Sequence, residues 1–278
     1  NTAEGAAGAY PTMVGAVPVV QAYAYSKYLG ELTVTFDDEG NVISAEGEPI
    51  LLDASVTPDA DIAARVAEMG APIEEMKTRI VAETTDTVDG SRDVCRAGEC
   101  SMGNLVADAM LARVKDLGVS IAIQNGGGLR ASIDAGEVTM GEVLTVLPFQ
   151  NTLSTFEVSG ATMIEALENG VGQIEEGAGR FPQVAGLKFA FDATKEPGAR
   201  VSDVMVMEGD AWVAIDPAKT YGVVSNNYVR NGGDGYKMFA GDDKNAYDYG
   251  PDLADVVAEY LAANGAYSAY TDGRISKK

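Results

Sequence analysis

The first patterned stretch is Leu32-Thr33-Val34-Thr35-Phe36, where apolar and polar residues alternate at the strand period before the turn Asp37-Asp38-Glu39-Gly40-Asn41 and a return through Val42 and Ile43. The pattern predicts a β-hairpin, and a hairpin with one apolar face needs another layer to cover it. Upstream, residues 17–25 are apolar and aromatic, while residues 1–9 are small and featureless and read as a frayed end. Thr57-Pro58-Asp59 then opens a helical stretch to about Lys77, rich in Ala, Glu and Met and interrupted at Gly70 and Pro72; it reads as a linker. From about Ile80 the pattern changes to alternating strands and helices separated by glycine loops. Ser101 can cap a helix whose apolar positions Leu105, Val106, Ala109, Met110 and Val114 follow the helical period, with Gly118 ending it. The branched run Val119-Ser-Ile-Ala-Ile-Gln predicts a central strand. Further helices are expected at 160–169, stopped by Gly170, and at 252–263, with strands at 152–158, 186–192 and 220–225. The class is α/β or α+β.

Composition bounds what such a fold can do. The 278 residues are 46% hydrophobic and 22% charged, enough for one large core or two smaller ones. No run of about 18 apolar residues occurs, so nothing is expected to span a membrane. The formal charge of −22 argues against nucleic acid or anionic lipid as a partner. Histidine is absent from the whole chain, which removes the commonest acid–base residue, the Ser-His-Asp triad and imidazole-based two-metal sites. The only cysteines, Cys95 and Cys100, have four residues between them, and four-coordinate zinc does not fit them. A small-loop disulfide is preferred to a reduced, buried pair, and it would place the protein outside the cytoplasm.

Candidate chemistry lies on two glycine loops. Asn125-Gly126-Gly127-Gly128-Leu129-Arg130 follows the central strand directly. Glycines let backbone amides approach a ligand, Asn125 offers a two-sided polar edge, and Arg130 offers a guanidinium fork suited to phosphate. The loop lacks both the P-loop and the dinucleotide pattern, and by default a glycine triplet after a strand is a tight turn. Asn231-Gly232-Gly233-Asp234-Gly235-Tyr236 is a second such loop, where Asp234 is either an ordinary turn residue or an acceptor for two vicinal ribose hydroxyls. Phe149 and Tyr228 sit where strands give way to loops, as core residues or as a pair that sandwiches a base. Arg96 lies inside the cysteine loop, close in sequence to the predicted N-terminus of the Ser101 helix, where phosphate is favoured.

The segments Cys95-Arg96-Ala97-Gly98-Glu99-Cys100-Ser101-Met102-Gly103-Asn104-Leu105, 125–130, Val146-Leu147-Pro148-Phe149 and 231–236 resemble, in order and spacing, the C-terminal domain of the 5'-nucleotidase family over roughly residues 80–275. That family includes periplasmic UDP-sugar hydrolases and ecto-5'-nucleotidase. The stretch 17–30 is similar to the last strands of the family's N-terminal metallophosphatase domain. The resemblance implies a layered α/β/β/α domain at 79–278, preceded by a linker helix at 57–78 and a hairpin remnant of the catalytic domain at 1–56. It implies stacking of a base on Phe149 and Tyr228, hydrogen bonding by Asn125 near the base, ribose capture by Asp234, close approach at Gly127 and Gly128, and phosphate binding by Arg96 and Arg130. It also implies a phosphoric ester hydrolase in which two divalent metals belong to the preceding domain. No cofactor, metal or catalytic residue is expected in this chain, which alone should bind and not cleave. The expected partners are a nucleotide or nucleoside and the chain's own N-terminal metallophosphatase domain, in an extracellular, periplasmic or cell-surface setting. The rival reading is a non-catalytic extracellular nucleotide-binding protein; a related hydrolase of sulfur compounds or cyclic nucleotides shares the architecture.

Overall fold

The computed structural model describes residues 9–241 and 244–278. Most of the segment that reads as a frayed end, residues 1–8, lies outside the described residues. The chain divides into two compact units, one reaching to Ala71 and one starting at Pro72.

In the first unit, β1 (Thr12–Val14) pairs with β2 (Val17–Val19), and β3 (Tyr28–Phe36) pairs antiparallel with β4 (Val42–Leu51). The hairpin turn forms where expected: the Asp37 side chain accepts from the amides of Glu39 and Asn41, a local substitute for a backbone turn. Of the apolar stretch 17–25 only Val17–Val19 is a strand. Helix α1 (Ala60–Thr78) opens on Asp59, whose carboxylate accepts from the amides of Asp61 and Ile62. The expected interruption at Gly70 and Pro72 does not occur; the helix runs through both. Proline removes one helical donor and glycine costs backbone entropy, but neither forbids helical φ and ψ.

The second unit is built on four strands in the order β8-β13-β6-β9: Leu153–Ser159, Thr220–Asn226, Val119–Asn125 and Pro182–Ala185. β6 and β13 are parallel, and each has an antiparallel neighbour on its outer side. Both faces are covered, so the inner strands read as nearly continuous apolar runs. The side-chain alternation is kept: Ala122 and Val224 join one core, Ile121, Ile123 and Val223 the other. The first core is filled from α3 (Ser101–Val114), α4 (Met140–Val146) and α7 (Leu253–Ala263). The second is filled from α5 (Gly160–Val171) and from a further sheet that includes β10 (Leu187–Phe191), β11 (Val201–Glu208), β12 (Ala211–Ala214) and β15 (Ile275–Lys277). A small third sheet joins β5 (Ile80–Thr84), β7 (Gly136–Thr139) and β14 (Ala266–Tyr267). This is the expected layered mixture of helix and sheet.

Two helix ends depart from expectation. Helix α3 is capped by Cys100, whose sulfur accepts from the Gly103 amide, while the Ser101 hydroxyl turns away to accept from the Asp89 amide. Helix α5 does not stop at Gly170, which lies buried within it. A Cβ there would fall 2.7 Å from Pro182 and 2.8 Å from the Tyr236 hydroxyl, so this glycine serves close packing and not helix termination.

Candidate functional site

Strand register gathers the site. β6 and β13 run parallel side by side, so their carboxyl ends, Asn125 and Asn226, release the two glycine loops at the same edge. Antiparallel β8 begins beside Asn226, and antiparallel β9 begins with Pro182 opposite Asn125, which brings residues 149–152 and 178–181 to that edge too. Open α/β sheets place their ligand crevices at such carboxyl ends. A cavity of about 290 Å³ opens there, lined by Asn125, Gly127, Gly128, Phe149, Asn151, Tyr228 and Asp234.

The polar floor of the cavity is a directional chain of hydrogen bonds. Asn125, 4% exposed, donates through Nδ2 to Oδ2 of Asp234 at 2.7 Å. The Tyr228 hydroxyl donates to Oδ1 of Asp234 at 3.0 Å and accepts from the Asp234 amide at 3.2 Å. Burial and the bond to Asp234 hold the Tyr228 phenol above its ordinary value, so it stays a donor at neutral pH. Asp234 adopts φ 52°, the left-handed region that aspartate tolerates better than most side chains. An ionised carboxylate has about four lone-pair sites, so two protein donors leave two for a ligand. Asn169 fixes the loop from behind by donating to the Asp234 carbonyl at 3.2 Å.

Above this floor Phe149 and Tyr228 are 54% and 48% exposed, unusual for large rings at the edge of a core. Tyr228 sits in the single helical turn α6 (Asn227–Arg230), and Gly233 packs on its ring: a Cβ there would fall 2.6 Å from the ring carbons. Gly127 is pressed against Gly179, with its amide donating to the Gly179 carbonyl at 2.7 Å. Six of the eight site residues expected from sequence therefore line one cavity.

The two arginines stand beside it. Arg130 donates to the Gly127 carbonyl at 3.4 Å, and its guanidinium carbon lies 5.7 Å from the centre of the Phe149 ring. Arg96 is 8% exposed, donates to the Gly177 carbonyl at 3.3 Å and leaves its buried Nε without a partner. Burial lowers its pKa from the ordinary arginine value, Arg92 and Arg130 add repulsion, and Asp234 offsets part of this. In a chain with a formal charge of −22, the Arg96 guanidinium, with Arg92 and Arg130 close enough to repel it, forms a local positive field suited to an anion. Arg96 follows the short turn α2 (Arg92–Cys95), and the disulfide joins its neighbour Cys95 to Cys100, the cap of α3, whose sulfur takes the Gly103 amide.

Cys95 and Cys100 form a disulfide. Cys95 is buried and its carbonyl accepts from Gln183 of β9 at 3.0 Å, so the arginine loop is tied to the sheet edge. Closing so short a loop contributes about 2 kcal/mol in the chain-entropy account. Adding reductant should therefore lower the denaturant midpoint by that equivalent, read from tryptophan emission of Trp212; an unchanged midpoint would mean that the surrounding packing alone holds Arg96.

Sequence reasoning passed over Asn151, Asn169, Arg92, Arg180 and Asn226. Arg180 donates to Asn169 at 3.1 Å, behind the Asp234 loop. Asn226 is wholly buried, and a polar residue at the end of an apolar strand was its one signal.

The sequence profile of the 5'-nucleotidase, C-terminal domain family matches residues 80–241. The chain belongs to the 5'-nucleotidase family. It is 36% identical to a snake venom 5'-nucleotidase of Gloydius brevicauda over a 292-residue alignment covering 98% of this chain and 50% of the relative. It is 37% identical to the 5'-nucleotidase of Homo sapiens over 288 aligned residues, 97% of this chain and 50% of that one. Among solved structures, a 5'-nucleotidase precursor from Thermus thermophilus superposes with a TM-score of 0.74 at 39% identity, covering 94% of this chain and 52% of that one. The chain spans about half the length of these relatives. Among the described residues, no helix of this 5'-nucleotidase domain is long and apolar enough to cross a membrane.

Proposed function

We propose that the cavity between the two glycine loops binds the nucleoside of a nucleoside 5'-phosphate, with the phosphate turned toward Arg96 and Arg130, and that the whole protein hydrolyses the phosphate ester outside the cytoplasm. The observation that carries this reading is the convergence of two exposed rings and a hydrogen-bonding edge, Asn125 and Asp234, at one cavity. The base stacks on Phe149 and Tyr228, the ribose hydroxyls donate to the two free acceptor sites of Asp234, and the guanidiniums neutralise the phosphate. The Cys95–Cys100 disulfide supports an oxidising compartment.

On this reading the chemistry of bond cleavage belongs to a part of the whole protein beyond this domain, in keeping with relatives twice its length. The family's pair of divalent metals does not fit the residues of this site: the chain has no histidine, Asp234 is the one carboxylate among the cavity's lining residues, and among the described residues no cluster of three or more metal-binding side chains occurs. This domain's contribution is therefore positioning and charge neutralisation. UDP-sugars, whose nucleoside end is the same, fit the cavity equally on these grounds.

Titration calorimetry with adenosine and uridine tests the reading. Phe149→Ala and Tyr228→Ala should each weaken binding by about 1–3 kcal/mol with the fold intact. A collapsed melting temperature with unchanged affinity would make both rings structural and the cavity something else.

A further inference from the structure

Asn226 does not line the cavity, yet its side chain is bonded to both halves of the nucleoside end. It is the last residue of β13, wholly buried, and uses three of its hydrogen-bonding positions. Its Oδ1 accepts from the Val229 amide at 2.9 Å, capping the turn that carries Tyr228. Its Nδ2 donates to Oδ1 of Asn125 at 2.9 Å and to Oε1 of Gln124 at 2.8 Å.

The direction of these bonds is fixed at both ends, by the Val229 amide, which can only donate, and by the Asp234 carboxylate, which accepts. A backbone amide can only donate, so the Val229 N–H sets the Asn226 oxygen toward it and the Asn226 amide nitrogen toward Asn125. That nitrogen requires the Asn125 oxygen to face it, which leaves the Asn125 nitrogen facing Asp234. Turning Asn125 over would set its oxygen against the Asp234 carboxylate and its nitrogen against the Asn226 donor, two repulsive contacts in a buried setting. We infer that Asn226 is a positioning residue for nucleoside recognition: its short bond to the Asn125 oxygen, with a longer one from Gln124, locks Asn125 in the orientation that donates to Asp234, and with it the acceptor sites left for the ribose, while Asn226 also holds the turn that presents Tyr228. The inference rests on the nucleoside reading of the cavity.

Asn226→Ser separates its two duties. A serine remains a good cap for the Val229 amide but is too short to donate to Asn125 and Gln124 together. The affinity of the 278-residue chain for adenosine and for 2'-deoxyadenosine is measured by calorimetry for the wild type, Asn226→Ser, Asp234→Ala and the double variant, alongside melting temperatures. The expected result is an Asn226→Ser chain that stays folded, loses about tenfold in adenosine affinity and loses most of its preference for ribose over deoxyribose, with no additional loss of that preference when Asp234 is already alanine. Asn226→Asp, which keeps the size and the cap but has no donor when ionised, is the second variant and should lose the same preference even if Asn226→Ser is too unstable to measure. A preference unchanged in the folded variants, or an equal loss for both ligands tracking the melting temperature, would overturn the inference and leave Asn226 a structural cap. A wild-type chain that binds adenosine without preferring it to 2'-deoxyadenosine would also overturn it, while sparing the nucleoside reading. A wild-type chain that binds no nucleoside at all would overturn that reading, and the inference with it.

Discussion

In the full-length protein envisaged by the proposed function, Arg96→Ala is expected to lower kcat for AMP by about 10²–10³ while adenosine affinity stays within a few-fold. The asymmetry follows from where the guanidinium sits. Arg96 is outside the cavity lining, buried, repelled by Arg92 and Arg130, and has its Nε unpartnered. Such a group is held in place before any anion arrives, so its field acts on a phosphoryl group without reorganisation and contributes little to the nucleoside. Arg130→Ala should cost kcat similarly and some affinity too, because Arg130 also rests on Phe149. The 278-residue chain alone, given manganese, zinc or cobalt, is expected to release no phosphate from AMP. Metal-dependent phosphate release by it, surviving contaminant controls, would overturn the division of labour. Equal losses in adenosine affinity and kcat for Arg96→Ala would move this residue from the phosphate to the nucleoside.

The second large effect is expected from a single methyl group. Gly126 is buried at the start of the first glycine loop, and a Cβ there would run into the Cys95 carbonyl and fall 3.2 Å from that of Phe181. Neither oxygen can give way cheaply: Phe181 accepts from the Gly126 amide at 2.7 Å, and Cys95 accepts from Gln183 at 3.0 Å. Gly126→Ala should therefore destabilise the domain by about 3 kcal/mol through overpacking. For a unit of this size that corresponds to a fall in Tm of about 6–12 °C, measurable by calorimetry. An unchanged Tm would mean that the loop and the disulfide segment move independently.

How far the sequence foretold all this depended on which residues announce themselves. β6 and β13 were legible because buried parallel strands are short branched runs, and the glycine loops were legible because few other residues turn so tightly. β9 was not, since Pro182-Gln183-Val184-Ala185 has neither alternation nor apolar continuity; its buried glutamine is there to satisfy the Cys95 and Gly98 carbonyls, a tertiary need with no local signature. Gly170 misled because a helix-stopping residue and a close-packing residue are the same letter. Cys100 and Ser101 exchanged roles for a similar reason: either can cap, and the long-range demand of the Asp89 amide decided. Asn226 gave one faint signal, a polar residue closing an apolar strand, but not its role. Its importance lies in a direction of hydrogen bonding, and direction exists only once strand register brings three amides together.

The contact between Arg130 and the Phe149 ring ties the two ends of the proposed ligand together. A guanidinium at 5.7 Å from a ring centre is attracted by the ring's negative face, so a phosphate that draws it away leaves that face seeking a new companion, and a stacked base supplies one. Under the proposed function, nucleoside and phosphate then favour each other's binding through Arg130, a coupling that acts reciprocally between the two ends of the site.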